Sequence, residues 1–382
     1  MKLRIWILIA LFLLAGSGCA ETRTSRANAI ALPATETLDA VTRWTFTTYG
    51  FRLESGQVLP DLTLAYETYG RLAPDGRNAI LITHGFTSNQ HAAGKYAPTD
   101  RMPGWWNGLI GPGKVIDTHR YFVVSSNMLG SSYGSTAPAS MNPVTGRQYG
   151  PEFPDITVRD IVAAQRLLLD GLGVKHLVAV AGPSYGGFQA FQWAVTYPHF
   201  MDGIVAVVTA PKSRLRPEAG AALVNRFAAD PNWNGGWHYD RGGIPATMTA
   251  LRIELLKRYG INEILAVTIP DPERREARIR ELAEAWARQF DPNSMVTLRK
   301  ASVSFDAERD FAKIRAKVLY VLSRTDKLYP PSTAPAVLAK LAAARVDAKY
   351  VEIDSDFGHL ASGADWAKWA PALQDFLGGL GR

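Results

Sequence analysis

The sequence has little cysteine and no concentrated charge. Its 382 residues include a single Cys, and 20% of them are charged. One cysteine, Cys19, excludes a disulfide framework and thiolate metal sites within the chain. The net charge is 42 − 35 = +7 with no run of five Lys or Arg residues, so no nucleic-acid partner is predicted. The phosphate loop, the dinucleotide fingerprint and His-Glu-x-x-His are also missing, and we predict no cofactor and no metal.

A single apolar segment, residues 5–15, follows two basic residues near the start of the chain. It is too short to span a bilayer and precedes small residues, which is typical of a secretory signal. We therefore predict a signal peptide over residues 1–19, a tether over 20–42 and an exported protein. Three interpretations stay open: signal-peptidase cleavage after Ala20, a lipobox that makes Cys19 a lipid anchor in the bacterial envelope, and an uncleaved anchor.

Strand and helix patterns alternate through most of the remaining chain. An alternating strand pattern covers residues 61–70, and buried-strand patterns cover residues 78–85, 121–127, 176–183, 201–210, 318–323 and 348–353. Helical patterns cover residues 157–172, 188–197, 333–344 and 365–380. This alternation predicts an α/β fold with a mostly parallel, doubly wound sheet, formed by residues 43–210 and 307–382. Between them, residues 211–306 carry only helical patterns, at 221–229, 246–259 and 273–290, and we predict an inserted helical cap.

Two segments match Gly-x-Ser-x-Gly, which indicates a nucleophilic serine only where a strand precedes it and a helix follows. Ser184, within Gly182-Pro183-Ser184-Tyr185-Gly186, meets both conditions. Ser132, in the other match, precedes Pro138 and no helical pattern. We predict Ser184 as the nucleophile and Ser132 as a turn residue.

A serine nucleophile needs a base and an acid that orients the base. In the chain order Ser, Asp, His, Asp326 follows the strand at 318–323, and His359 follows the last strand. Asp354 and Asp356 compete with Asp326 as the acid, but they share the loop of the histidine. We predict Asp326 and His359 as the partners of Ser184.

Acyl transfer also needs donors for the oxyanion. The backbone N–H of Tyr185, directly after the nucleophile, supplies one. Phe86, in the loop after the strand at 78–83, is the best candidate for the second. Trp105 and Tyr133 are candidate pocket residues, with core packing as an equal alternative.

Longer segments resemble the homoserine O-acetyltransferase family of the α/β-hydrolase fold. They are LAYETYG (64–70), NQHAAG (89–94), the stretch 103–140, YGPEFPDITVRDIV (149–162) and GFQAFQWAVTYP (187–198). The resemblance implies the α/β-hydrolase fold, a Ser184–Asp326–His359 triad, an oxyanion hole at Phe86 and Tyr185, and a small acyl ester or acyl donor as substrate. It also implies Arg252 as the cap arginine that meets the homoserine carboxylate.

The sequence departs from that family beside the predicted histidine. Leu360 occupies the position where the family carries an aspartate suited to the homoserine ammonium, and the serine turn reads GPSYGG instead of GGSMGG. Acetyl-CoA and homoserine are cytoplasmic metabolites, which an exported protein would seldom meet. We therefore predict an exported serine ester hydrolase. An O-acyltransferase of the homoserine O-acetyltransferase type is the alternative, and a non-catalytic envelope binding protein is a more remote one.

Overall fold

The computed structural model describes residues 38–381. The predicted signal peptide, Cys19 and most of the predicted tether lie outside this range. Leu38 and Val41 pack around Gly94, so the packed chain begins ahead of Trp44. No helix within residues 38–381 is both long and apolar enough to cross a bilayer.

An eight-stranded sheet forms the centre. Its strands are β1 (Trp44–Arg52), β2 (Val58–Tyr69), β3 (Ala79–Thr83), β6 (Phe122–Ser126), β7 (Leu177–Pro183), β8 (Met201–Val207), β9 (Lys317–Ser323) and β10 (Ala348–Ile353). They lie in the order β1-β2-β6-β3-β7-β8-β9-β10. Strands β6 to β10, in this order, pair in parallel, whereas β1 pairs antiparallel with β2, and β2 antiparallel with β6. Two short strands, β4 (Ile110–Gly111) and β5 (Ile116–Asp117), pair separately.

Helices cover both faces of the sheet, as a parallel sheet requires. They are α1 (Val158–Gly171), α2 (Tyr185–Thr196), α3 (Ala219–Ala228), α4 (Pro245–Tyr259), α5 (Ile261–Thr268), α6 (Pro272–Ala287), α7 (Pro292–Val303), α8 (Ala334–Ala343), α9 (Ala361–Ala364) and α10 (Ala370–Gly378). In the central strand β3, Leu81 packs into one core layer while Ile80 and Ile82 pack into the other. The predicted α/β class and mostly parallel sheet are confirmed.

Helices α3 to α7 lie between β8 and β9, where the sequence predicts an insertion. Its two ends run side by side: Ser213 N donates to Phe305 O at 2.9 Å, and Ala307 N donates to Pro211 O at 2.9 Å. The Lys212 ammonium pairs with the Asp306 carboxylate at 2.8 Å. The insertion therefore leaves and rejoins the sheet through one narrow neck.

Several elements differ from the sequence prediction. Helix α6 ends at Ala287, and α7 begins anew because Asp291 caps it, accepting from Ser294 N at 2.7 Å, and Pro292 opens its first turn. The predicted single helix over 273–290 is therefore wrong at its C-terminal end. Helices α5 and α7 and the edge strand β1 were not predicted. In α7 nine of the twelve residues are buried, including all of residues 292–298, so it lacks the amphipathic stripe that would indicate a surface helix.

Candidate active site

Ser184 lies in the turn between β7 and α2. Its φ of 57° and ψ of −119° form a conformation that L-residues seldom adopt and that surrounding structure must enforce. Two hydrogen bonds, with residues at and just after the end of β8, hold Ser184 in this conformation. Ser184 N donates to Val207 O at 2.8 Å, and Thr209 Oγ1 donates to the Ser184 carbonyl at 2.7 Å. This is the strand–turn–helix geometry that presents a serine hydroxyl above the sheet edge.

A glycine makes the tight turn sterically feasible. A Cβ on Gly186 would lie 2.4 Å from the backbone oxygen of Thr83. Only glycine permits α2 to start this close to β3. The Thr83 hydroxyl also donates to the Gly186 carbonyl at 2.9 Å, so β3 and the serine turn are joined directly.

Asp326 and His359 lie together after β9 and β10. Oδ2 of Asp326 is 2.8 Å from Nδ1 of His359, and Oδ1 accepts from Leu328 N at 2.8 Å. Both residues are buried, with exposed fractions of 2% for Asp326 and 7% for His359. A hydrogen bond at Nδ1 fixes the ring and leaves Nε2 for proton transfer.

The two loops that carry this pair are tied to each other. Thr325 Oγ1 donates to Ser355 O at 2.9 Å and accepts from Gly358 N at 3.1 Å. The His359 ring lies against two tyrosines, with centroids 5.1 Å from Tyr259 and 5.8 Å from Tyr329. The histidine is thus held by both the sheet loops and helix α4.

Helix α4 ends against the histidine loop. Gly260, at its C-terminus, has a φ of 102°, and a Cβ there would lie 2.5 Å from Phe357 O. The left-handed conformation and the close backbone approach both require glycine. The end of α4 therefore abuts the backbone two residues before His359.

Two cavities meet at Ser184, and Phe86 and Tyr259 also line both of them. Cavity A, of about 380 Å³, is further lined by Tyr185, Arg214, Arg258, Arg299, Lys327 and Tyr329, among others. Cavity B, of about 260 Å³, is further lined by Trp105, Trp106, Arg252, His359, Leu360 and Ser362, among others. Of the predicted triad, Ser184 and His359 share cavity B, and Asp326 supports His359 from behind.

The two predicted oxyanion donors lie next to the serine. Phe86 follows β3, its ring stacks on Tyr185 with centroids 6.0 Å apart, and both residues line cavity A. Within the described chain, neither backbone N–H donates a hydrogen bond. Both groups are therefore free to bind an oxygen beside Ser184.

Arg252 reaches cavity B from α4. One terminal nitrogen donates to Thr87 Oγ1 at 2.6 Å, and the guanidinium lies 4.9 Å from the Trp286 ring centroid. Its Nε is buried and has no hydrogen-bond partner among residues 38–381. Burial lowers the pKa of Arg252, and no described carboxylate pairs with it. It is a cation with unused donors at the edge of the cavity.

The other two predicted pocket residues, Trp105 and Tyr133, lie in different surroundings. Trp105 lines cavity B and donates from Nε1 to Asn89 O at 3.0 Å. Tyr133 is not among the described residues that line either cavity; its ring packs edge-on against Phe290, with centroids 5.9 Å apart. Burial raises the pKa of Tyr133 to about 12, so its phenol stays protonated. The structure thus brings Trp105 to the site and places Tyr133 in the packing beside it, the alternative left open by the sequence.

The competing candidates lie elsewhere. Asp354 and Asp356 are exposed and both pair with Arg324, each at 2.7 Å. The Ser132 hydroxyl accepts from Asp291 N at 2.9 Å and lines neither cavity in the part of the chain that the structure covers. No group of three or more His, Cys, Asp or Glu side chains suited to a metal ion occurs within residues 38–381.

Several residues around the site belong to no sequence motif. Tyr259, Tyr329 and Arg299 surround Ser184 or His359, but none belongs to a motif. One local signal marks the position of Tyr259: the glycine directly after it, Gly260, follows a helical pattern and indicates the end of a helix. Arg299 had none, because it lies on the unpredicted helix α7.

A serine turn at the carboxyl end of a central parallel strand is how α/β hydrolases carry their nucleophile. In agreement, a family profile described as alpha/beta hydrolase fold matches residues 78–365. Among the relatives, "Homoserine O-acetyltransferase" of Geobacter sulfurreducens is 39% identical over 85% of this chain and 94% of its own. The protein of the same description from Symbiobacterium thermophilum is 40% identical, over 85% and 91%.

The chain therefore belongs to the homoserine O-acetyltransferase-like family of α/β hydrolases, as the sequence predicts. Solved structures agree with this. Esterase E22 superposes with a TM-score of 0.80 at 30% identity, covering 88% of this chain and 100% of its own. The homoserine O-acetyltransferase from Bacillus anthracis also gives 0.80 at 30% identity, covering 89% and 98%. Relatives that transfer acyl groups and neighbours that hydrolyse esters identify the protein as an acyl-transfer enzyme and argue against a non-catalytic binding protein.

Proposed function

We propose that this protein is a serine ester hydrolase that works through an acyl-enzyme on Ser184. The observation that carries the proposal is the common cavity: Ser184 and His359 both line cavity B, and His359 is hydrogen-bonded to buried Asp326. In the proposed roles, Ser184 is the nucleophile, His359 the base and then the acid, and Asp326 the residue that orients His359. Phe86 and Tyr185 donate their N–H groups to the oxyanion.

The reaction proceeds in two halves. Ser184 Oγ attacks the ester carbonyl and its proton passes to Nε2 of His359. The C–O bond to the alcohol then breaks, and His359 returns the proton to the departing alcohol. In the second half, His359 takes a proton from water, and the water oxygen attacks the acyl carbon. The bond between that carbon and Ser184 Oγ then breaks, His359 returns the proton to Oγ, and the acid leaves.

Water is proposed as the acceptor because of the charge in cavity B. Leu360, directly after His359, lines this cavity, and no described carboxylate does. An ammonium entering it would lose its hydration without gaining a partner, a cost of several kcal/mol. Arg252 instead suits an anion, and we propose it as the contact for a carboxylate on the alcohol side.

The second candidate is an O-acyltransferase, and sequence similarity favours it. Relatives described as homoserine O-acetyltransferases match at 39–40% identity, against 30% for esterase E22. Two acceptors separate the candidates: L-homoserine, and 4-hydroxybutyrate, which lacks only the ammonium. With an acyl ester as donor, hydrolysis should remain the main reaction in the presence of either acceptor, and O-acylhomoserine should not form. Formation of O-acylhomoserine would contradict hydrolysis as the main activity.

Replacing each motif serine tests the choice of nucleophile. Ser184→Ala should lose activity on an acyl-ester panel by about 10⁴-fold or more and remain folded, because the hydroxyl supports no contact in the core. Ser132→Ala is the matched control: it should keep activity but lose about 1–3 kcal/mol of unfolding free energy, since Asp291 N would lose its acceptor. An active Ser184→Ala enzyme would overturn the assignment.

We also propose export of the protein, on the signal pattern of residues 1–19. Expression of the full chain in a bacterial host, followed by fractionation and mass measurement, tests this. A lipid-modified chain that is lost in Cys19→Ala would establish the lipobox, and an unmodified chain starting after Ala20 would establish ordinary cleavage. A full-length chain in the cytoplasm would contradict both.

A further inference from the structure

Cavity A contains a cation placed directly against the proposed oxyanion loop. Arg299, on α7, is partly buried and its guanidinium carbon lies 4.6 Å from the centroid of the Phe86 ring. It lines cavity A together with Ser184. The cation–π contact holds the guanidinium over the ring but satisfies none of its five N–H donors. Arg299 is therefore fixed near the reacting serine with hydrogen-bonding capacity unused.

No described carboxylate neutralises this cation. Burial lowers the pKa of Arg299, and the ionisable groups beside it are the phenols of Tyr259, Tyr329 and Tyr185 and the like charge of Arg258. Arg258, Arg214 and Lys327 line the same cavity, and none of these four cations forms an ion pair within residues 38–381. A partly desolvated cation without a counter-ion is unfavourable, and an anionic ligand would remove that cost.

The position of His359 decides which half of an ester enters cavity A. The departing alcohol must receive its proton from His359, and His359 lines cavity B but is not among the residues that line cavity A. The alcohol therefore leaves through cavity B. The acyl chain extends to the other side of Ser184, into cavity A, whose volume of about 380 Å³ lies in the range of small-molecule sites.

We propose that cavity A binds an acyl chain ending in a carboxylate, with Arg299 as the residue that selects it. The preferred substrates are then monoesters of short dicarboxylic acids. This inference rests on the proposed acyl-enzyme function and adds its substrate class. In the balanced reaction, one water and one monoester give the alcohol, the dicarboxylate and one proton.

Two matched ester pairs test the selection. Ethyl hydrogen succinate and ethyl levulinate differ only in a carboxylate against an acetyl group, as do ethyl hydrogen glutarate and ethyl 5-oxohexanoate. With ethanol release as the assay, the wild type should show a higher kcat/KM for the acid of each pair. In Arg299→Gln, the acid-to-ketone ratio should fall by about 10- to 100-fold, the range for losing a charge-assisted hydrogen bond, and Arg299→Lys should restore part of it.

Arg280→Gln is the control, because Arg280 is exposed on α6 and should leave the ratio unchanged. Equal turnover of acid and ketone by the wild type, or an unchanged ratio in Arg299→Gln, would overturn the proposal. Coenzyme A thioesters against N-acetylcysteamine thioesters form a further arm. If Arg299→Gln lowers kcat/KM only for the coenzyme A thioester, Arg299 contacts the phosphates of the carrier, and its assignment to the acyl chain is wrong.

Calorimetry separates this inference from the proposed function. Ethyl hydrogen succinate should bind Ser184→Ala and should bind the Ser184→Ala, Arg299→Gln double variant at least about tenfold more weakly. This readout needs no turnover. If binding depends on Arg299 but Ser184 of the wild type does not react with a fluorophosphonate probe, the anion site is supported and the proposed hydrolase is wrong. If the probe labels Ser184 but binding does not depend on the charge of residue 299, the hydrolase is supported and the anion site is wrong.

Discussion

The contact between α4 and the histidine loop gives a prediction whose size follows from the structure. A methyl group on Gly260 would lie 2.5 Å from Phe357 O and 3.3 Å from Gly358 N. Both neighbours are backbone atoms, so no side chain can rotate away to relieve the overlap. Gly260→Ala must therefore shift either the end of α4 or the loop that carries His359.

Two costs add in Gly260→Ala. A left-handed conformation costs a non-glycine residue about 1–2 kcal/mol, and overpacking typically costs about 1–3 kcal/mol, which gives about 2–5 kcal/mol in total. Gly242 is the matched control. Its φ is 80°, and a Cβ there meets nothing within 4 Å. Gly242→Ala should therefore cost only the first amount, about 1–2 kcal/mol.

Urea unfolding measures the two free energies, and the rate of fluorophosphonate labelling at Ser184 reports the position of His359. We expect Gly260→Ala to be about 1–3 kcal/mol less stable than Gly242→Ala and to label more slowly, because the displaced loop moves the base away from Ser184. Equal stability losses combined with wild-type labelling in both variants would refute the argument that the α4 end positions the histidine.

Two further predictions concern ionisable groups. Asp326→Asn should lower kcat on acyl esters by about 10⁴-fold because an amide no longer stabilises the protonated His359, whereas Asp356→Asn, on the surface, should leave kcat unchanged; the opposite result would exchange their roles. Burial lowers the pKa of His84, so the unfolded chain takes up this proton at a higher pH than the folded protein. The contribution of neutral His84 to the unfolding free energy should be fully present above pH of about 6.5. As the pH falls below that value, the unfolding free energy should decrease by up to ~1.4 kcal/mol per pH unit. The decline should be shallower in His84→Asn, and an identical slope would contradict the assignment.

The positions of the three proposed triad residues were predictable because their sequence signals are local. Strand patterns followed by small residues located the ends of β7, β9 and β10, and the carboxyl ends of parallel strands meet at one edge of a sheet. Ser184, Asp326 and His359 follow these strands in the sequence. Their convergence therefore needed only the strand assignment and the parallel topology.

The surroundings of the site were not predictable, because they depend on how the insertion packs back. Arg299 faces Phe86 across more than 200 residues of sequence, and no local pattern encodes that approach. Helix α7 carries no polar stripe, since residues 292–298 are all buried. Strand β1 has a weak signal because it lies at the sheet edge, where it pairs with β2, and only one of its nine residues is buried.

The narrow neck at Lys212 and Asp306 allows the insertion to change without a change in the sheet. Because the insertion departs and returns at adjacent points, its length and sequence place no demand on the spacing of β8 and β9, whose residues pair directly. Arg252 and Arg299, which we propose as contacts of the ester, lie within the insertion, whereas the proposed triad of Ser184, Asp326 and His359 lies outside it. Under that proposal, evolution or an engineer can exchange the insertion to change the preferred substrate while the triad stays in place.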